Sequence, residues 1–216
     1  MPALFPRWSD SLLWIGLVAV VAIAIGVPAF VMIWVRTPHV TATRDPITQP
    51  IEFDHRHHVV DDGIDCRYCH DLVERSPFAG VPPTARCLNC HNQIWNDSPL
   101  LTAVWRSYVR DRPIPWLRVH RLADFVYFDH SIHVNKGVGC ETCHGRVDQM
   151  ARVYQVAPLT MGWCLDCHRS PERHLRPRAA ITAMGWTAPG SADELGRALK
   201  RLYGVREITT CTACHR

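Results

Sequence analysis

Apolar positions are distributed unevenly along this chain of 216 residues. From Leu12 to Val35 the sequence reads LLWIGLVAVVAIAIGVPAFVMIWV, 24 residues without a charge. As a helix rising about 1.5 Å per residue the run reaches roughly 36 Å, more than the roughly 30 Å of a hydrocarbon layer. Trp14 and Trp34 stand near its ends, where interfacial aromatics belong, and Gly26 and Pro28 are tolerated inside such a helix. The run is longer than a signal-peptide core, and no small-x-small cleavage site follows it closely. The pattern predicts a short N-terminal segment over 1–11, an uncleaved transmembrane helix over 12–35 and a linker over 36–50. Within the linker, Thr37–Pro50 (TPHVTATRDPITQP) reads as extended, and its His39 is expected to bind no metal.

Residues 51–216 read differently. Long apolar runs are absent, and Pro, His and Arg are frequent. Two ordinary helices are predicted. One starts at Asp97-Ser98-Pro99, a capping residue before a first-turn proline, with Leu101, Val104, Trp105, Tyr108 and Val109 along one side. The other starts at Ser191, with Glu194 completing a capping box, and ends before Gly204. Two packing helices cannot supply a conventional core for a segment of this length. Something else must fill the interior.

The cysteines indicate what it is. All ten fall in five copies of Cys-x-x-Cys-His: Cys66-Arg-Tyr-Cys69-His70, Cys87-Leu-Asn-Cys90-His91, Cys140-Glu-Thr-Cys143-His144, Cys164-Leu-Asp-Cys167-His168 and Cys211-Thr-Ala-Cys214-His215. A disulfide framework or a set of zinc sites would use paired cysteines too, but neither requires a histidine directly after every second one. This is the attachment signal for c-type haem. Two thiols one helical turn apart can each add to a vinyl group on one porphyrin edge, and the next residue offers an imidazole to the iron. The expectation is five covalently attached haem c groups, held by His70, His91, His144, His168 and His215 as proximal ligands. Covalent links let a short chain hold large apolar cofactors without a thick protein shell. The expected fold class is a multihaem cytochrome c, mostly helical or irregular with little sheet: one N-terminal transmembrane helix plus a haem-packed extracytoplasmic domain over 51–216.

The charge balance changes with the cofactors. The polypeptide carries a formal net charge of +4, but each haem brings two propionates, so the loaded protein should be near neutral or slightly acidic. Nucleic-acid binding is therefore not expected.

The soluble part contains an internal repeat, about 51–95 and 126–170. Phe53-Asp54-His55-Arg56-His57-His58 and Gly63 precede the first two motifs; Phe128-Asp129-His130-Ser131-Ile132-His133 and Gly137 precede the next two. The Phe-Asp-His segments are 75 residues apart, the first motifs of each copy 74 and the second motifs 77. In each segment two histidines three residues apart share one face if the segment is helical. His55, His58, His130 and His133 are therefore candidate distal ligands, each completing a different iron. His57, replaced by Ile132 in the second copy, is not. One iron still lacks a partner, and three residues compete for it: Met161, His120 and His174. Met161 stands where the first copy has Thr84, and His120 lies in the connector between copies. A methionine ligand would raise the potential of its haem relative to two histidines.

Several segments together carry a family resemblance: Phe53-x-His55-x-x-His58, Gly63-Ile-Asp-Cys66-Arg-Tyr-Cys69-His70, Pro115-Trp116-x-Arg-Val-His120, Phe125-Val-Tyr-Phe-x-His130-Ser-x-His133 and Met161-Gly-Trp-Cys164-x-x-Cys167-His168. Over about residues 1–216, including the terminal Cys-His-Arg, the chain resembles the membrane-anchored pentahaem cytochrome c subunit of bacterial alternative complex III, a quinol oxidoreductase. Its F-x-H-x-x-H plus C-x-x-C-H unit is similar to class III multihaem cytochromes c more widely. The resemblance implies a membrane complex with an iron–sulfur subunit, integral membrane subunits that oxidise quinol and a monohaem cytochrome c subunit, and a soluble electron acceptor or terminal oxidase beyond it. In that setting the chain is a wire carrying electrons from menaquinol, not an enzyme on its own.

Two other functions are weighed against this one. A multihaem reductase, for nitrite or hydroxylamine, needs an iron with an open position, and His55, His58, His130 and His133, with Met161 and His120 available for the fifth iron, require no vacancy. A free-standing quinol dehydrogenase would have to build a quinone pocket on one helix. No catalytic acid or base stands out. Arg7 precedes the apolar run while Arg36 and Arg44 follow it, so charge alone does not favour a cytoplasmic N-terminus. Covalent haem attachment takes place outside the cytoplasmic membrane, which predicts a single pass through the inner membrane with a cytoplasmic N-terminus and a periplasmic haem domain.

Overall fold

The computed structural model describes Pro6 and residues 8–215. Residues 1–5 of the predicted 1–11 segment, Arg7 and the terminal Arg216 lie outside the described residues. The chain divides into two units, one ending at Ala42 and one beginning at Thr43.

The first unit is built on helix α1, Trp8–Trp34. It starts earlier than the uncharged run because a charge does not stop a helix. Ser9 in its first turn donates its hydroxyl to the Pro6 carbonyl at 2.7 Å, and Asp10 there suits the positive end of the helix dipole. None of its residues is buried, and by length and composition it can cross a membrane. The linker is not wholly extended. Pro38–Thr41 forms one helical turn, α2, because a proline at the first position has the required φ. Ala42, at φ 53°, ends it. His39 packs edge-on against Trp34 with ring centres 5.8 Å apart.

The second unit is short helices joined by irregular chain. Among the described residues there is no strand, only three isolated bridges. Each Cys-x-x-Cys-His motif lies on a helix: α3 (Cys66–Cys69), α4 (Thr84–His91), α7 (Cys140–His144), α8 (Met161–Arg169) and α10 (Cys211–Cys214). Local capping explains several starts. The Asp65 carboxylate accepts from Arg67 N at 2.9 Å to open α3, and Thr160 Oγ1 accepts from Trp163 N at 3.4 Å to open α8. The two Phe-Asp-His segments differ in winding: His130–Asn135 is α-helical (α6), whereas Arg56–Asp61 is a π-turn.

Ordinary packing is thin. Eleven apolar residues are buried, and no described side chain is fully inaccessible. They include two small clusters, Val73 with Val134 and Ile181, and Leu88 with Leu101 and Val104. The second involves α5 (Thr102–Val109), which follows a 3₁₀ turn at Pro99–Leu101 capped by Ser98. The predicted apolar side of this helix needs correction: Val104 and Ser107 face inward, while Tyr108 and Val109 are 54% and 78% exposed. The 3₁₀ start rotates the helix, and Ser107 bridges Thr84 Oγ1 and the Arg112 carbonyl, both at 2.6 Å.

Helix α9 (Ala192–Leu202) has the expected Ser191 cap, with Ser191 Oγ accepting from Glu194 N at 3.3 Å. It packs on the 3₁₀ turn Pro171–His174 so tightly that a Cβ at Gly196 would collide with the Glu172 carbonyl oxygen. Because backbone must shift to relieve it, Gly196→Ala should destabilise this unit by about 2 kcal/mol despite alanine's better helix propensity. A thermal melt of the loaded protein checks this; an unchanged or raised midpoint would show that the contact yields cheaply.

Candidate functional site

The motif histidines are oriented by backbone. His70 Nδ1 donates to the Gly80 carbonyl at 2.7 Å, His91 Nδ1 to that of Ile94 at 3.1 Å and His168 Nδ1 to that of Ile208 at 2.9 Å. A carbonyl can only accept, so the proton sits on Nδ1 and the lone pair of Nε2 is free for a metal. The Phe-Asp-His segments follow the same rule. His58 Nδ1 donates to Asp54 O at 2.9 Å, His130 Nδ1 to Pro77 O at 2.8 Å and His133 Nδ1 to Asp129 O at 2.7 Å. The Phe of each segment has a role that the sequence pattern did not reveal. Phe53 stacks on His58 with centres 4.3 Å apart and meets His55 edge-on at 4.8 Å; Phe128 does the same to His133 and His130 at 4.5 and 4.7 Å. One aromatic ring thus sets both imidazoles.

The imidazoles meet in pairs. His58 and His91 have ring centres 6.2 Å apart, His133 and His168 6.1 Å, and His130 and His144 6.2 Å. An imidazole nitrogen binds a transition metal at about 2 Å, and the ring centre lies about 1 Å further on. Two rings on opposite sides of one iron are then about 6 Å apart, which is the spacing of all three pairs. Among the described residues no three His, Cys, Asp or Glu side chains converge as a zinc site needs. Facing pairs of imidazoles beside paired thiols fit haem c.

Burial adds to this. It holds His55 and His120 near pKa 4 and His144 near 3, with neighbouring histidines adding to the effect, so all three are neutral at pH 7. His55 Nδ1 and His120 Nε2 are buried without a hydrogen-bond partner. His55 lies within electrostatic reach of His70. His120 is brought to His144, ring centres 4.3 Å apart and nearly perpendicular. His215 has the exposed ring of Phe125 at 5.7 Å. Met161 opens α8 and is 61% exposed. His174 ends the turn under α9, and His57 stacks on Trp95 with Asp61 at 3.1 Å.

All ten thiols are free and none is fully buried. They neighbour one another between motifs. Cys66 and Cys140 are hydrogen-bonded, which favours the Cys66 thiolate while raising Cys140. Burial pushes Cys143 up to about 12, with the Cys167 and Cys164 thiols adding to it, and Cys167 to about 11. Burial also raises Cys69 and Cys164, helped by the nearby Cys87 and Cys214 respectively. The apolar surroundings of these sulfurs are a surface a porphyrin edge can cover.

Residues 126–216 match the family described as cytochrome c7 and related cytochrome c. The chain is also similar to the protein named "Menaquinone reductase, multiheme cytochrome c subunit" from Nitratidesulfovibrio vulgaris, 38% identical over 97 residues, 44% of this chain. It spans 45% of that relative's length.

Proposed function

We propose that the multihaem cytochrome c domain of this chain is the electron-transfer subunit of a membrane quinone-linked oxidoreductase, anchored by α1, and carries five covalently bound haem c groups. The observation that supports this best is the matched spacing of three imidazole pairs, each joining a motif histidine to a histidine of a Phe-Asp-His segment. When bound, haem c supplies a one-electron Fe(III)/Fe(II) couple.

The side chains divide the work as follows. Cys66, Cys69, Cys87, Cys90, Cys140, Cys143, Cys164, Cys167, Cys211 and Cys214 hold the porphyrins. His70, His91, His144, His168 and His215 are proximal ligands; His55, His58, His130 and His133 are distal ones. Met161 serves the motif at His215, because His120 lies against His144 instead. Backbone carbonyls on Nδ1 fix the tautomer and orientation of the imidazoles, so little rearrangement accompanies each electron. Six-coordinate irons favour relay over turnover.

The named relative is a subunit of a menaquinone reductase, and alternative complex III oxidises quinol; both tie such subunits to a membrane quinone pool. Here the direction read is quinol oxidation. Quinol releases two electrons and two protons on becoming quinone; the electrons pass singly along the chain and reduce a downstream cytochrome or oxidase. The N-terminus is cytoplasmic and the haem domain periplasmic. Purified from membranes, the chain should weigh its polypeptide plus five haems, stay low-spin throughout, and bind no carbon monoxide rapidly when reduced. In its complex it should be reduced by added menaquinol. A stoichiometric carbon-monoxide adduct would instead favour a reductase with an open iron; fewer than five haems would overturn the count.

A further inference from the structure

The sequence order of the five motifs is not their order in space. Motif one touches motif two: Asn89 Nδ2 donates to the Tyr68 hydroxyl at 3.0 Å, and Arg86 reaches both the Tyr68 carbonyl at 2.6 Å and Asp71 at 2.9 Å. The segment carrying His55 and His58 faces both, with His58 against His91. Motif one also touches motif three. Val73, three residues after His70, packs with Val134 and Ile181 and against Cys140; Cys140 N donates to the Ile181 carbonyl at 3.1 Å, and the adjoining Thr182 hydroxyl donates to Asp65 at 2.9 Å. Motif three meets motif four through α6, whose His130 faces His144 and whose His133 faces His168. Motif four meets motif five: His168 Nδ1 bonds the Ile208 carbonyl at 2.9 Å, just before Cys211, and Cys164 and Cys214 lie close enough to interact.

Each motif thus contacts the next in the series two, one, three, four, five. The ends of that series are also the open parts of the site. Cys90 and Cys211, one in each end motif, are the two exposed cysteines, and the other eight are partly buried. Next to them stand exposed apolar side chains, Ile94 and Trp95 after motif two and Phe125 and Ile208 beside motif five.

We infer that the five haem sites form one unbranched line in the order two–one–three–four–five, and that electrons enter and leave the chain only at its exposed ends, motifs two and five. This rests on the proposed reading of the motifs as haem sites, which the mass of the purified protein tests separately. The two halves of the repeat are joined through their first motifs, by the Thr182–Asp65 and Cys140–Ile181 hydrogen bonds, and the fifth motif extends one end.

The order can be read by injecting electrons at one end. The full anchored chain carrying Gln93→Cys has one free thiol, since the other ten are thioethers, and a ruthenium photoreductant can be attached there beside motif two. With a sacrificial donor and repeated flashes, the number of haems reduced in the fast phase is counted by absorbance. In chains lacking one haem through paired Cys→Ala changes, whose loss is verified by mass, loss of motif five should leave four fast haems. Loss of motif four should leave three, of motif three two and of motif one one. A different series, such as three fast haems after loss of motif one, would overturn the line. Should a central deletion fail to fold, hydroxyl-radical footprinting of the unaltered protein decides: Trp95 and Phe125 should label heavily and Met150 and Leu175 weakly, and the reverse pattern would refute exposed ends at motifs two and five.

Discussion

With all ten motif cysteines changed to alanine, the segment from Thr43 onward is expected to lose its fold, although not one buried apolar residue has been altered. The reason is the shortage of protein–protein burial. Eleven apolar side chains are buried across the described residues, in clusters as small as three. The helices are too short to hold themselves. The motif helices run from four to nine residues and α9, the longest of this unit, has eleven, whereas isolated helices shorter than about 12–15 residues are marginal in water. The imidazoles make the deficit worse. His55 and His120 each carry a buried nitrogen with no partner, and a buried polar atom left unsatisfied costs about 1–3 kcal/mol. Haem makes up the missing burial by covering the apolar walls. Amide hydrogen exchange, read peptide by peptide on the full chain, tests this. Protection in α5 and α9 should fall more than about 100-fold, the equivalent of about 3 kcal/mol. Retained protection in α9 would mean that the polypeptide has a core of its own and that the cofactors merely decorate it.

That dependence also explains what the sequence could and could not disclose. Covalent attachment needs fixed residue types at fixed spacing, so the five motifs and the repeated Phe-Asp-His segments were legible at once, as was the apolar helix. A cap needs a particular side chain, so Ser98 and Ser191 marked their helices correctly. The groups that orient the imidazoles were invisible, because Gly80, Ile94, Asp54, Asp129, Pro77 and Ile208 act through backbone carbonyls that any residue has. Burial on α5 was misjudged for a related reason. With so little apolar packing, Tyr108 and Val109 gain no partner by facing inward, and the hydroxyl of Ser107 decides the rotation. The spatial order of the motifs was hidden altogether. It depends on contacts such as Thr182 with Asp65 and Ile181 with Cys140, which link two copies that spacing treats as separate.

The competition between Met161 and His120 is where sequence and geometry together make a firm forecast. Met161→Ala should convert one haem from low to high spin, and His120→Ala none. His120 does not share an iron with His144. Its ring centre is 4.3 Å from that of His144, while two imidazoles sharing an iron need about 6 Å. His130, at 6.2 Å and only 14° from coplanar with His144, already meets the requirement. Met161 begins the helix that carries Cys164, and Cys164 lies beside Cys214 of the fifth motif. Its exposure, wasteful for a methionine in a packed protein, is what a thioether awaiting a metal at the end of the line would show. The control is Met161→His, which should keep every haem low-spin while lowering one reduction potential, because an imidazole stabilises Fe(III) more than a thioether does. Electron paramagnetic resonance of the oxidised variants reads all three outcomes. A high-spin signal from His120→Ala, with Met161→Ala unchanged, would move the fifth distal ligand to His120 and require that its ring swing away from His144 when the porphyrins are in place.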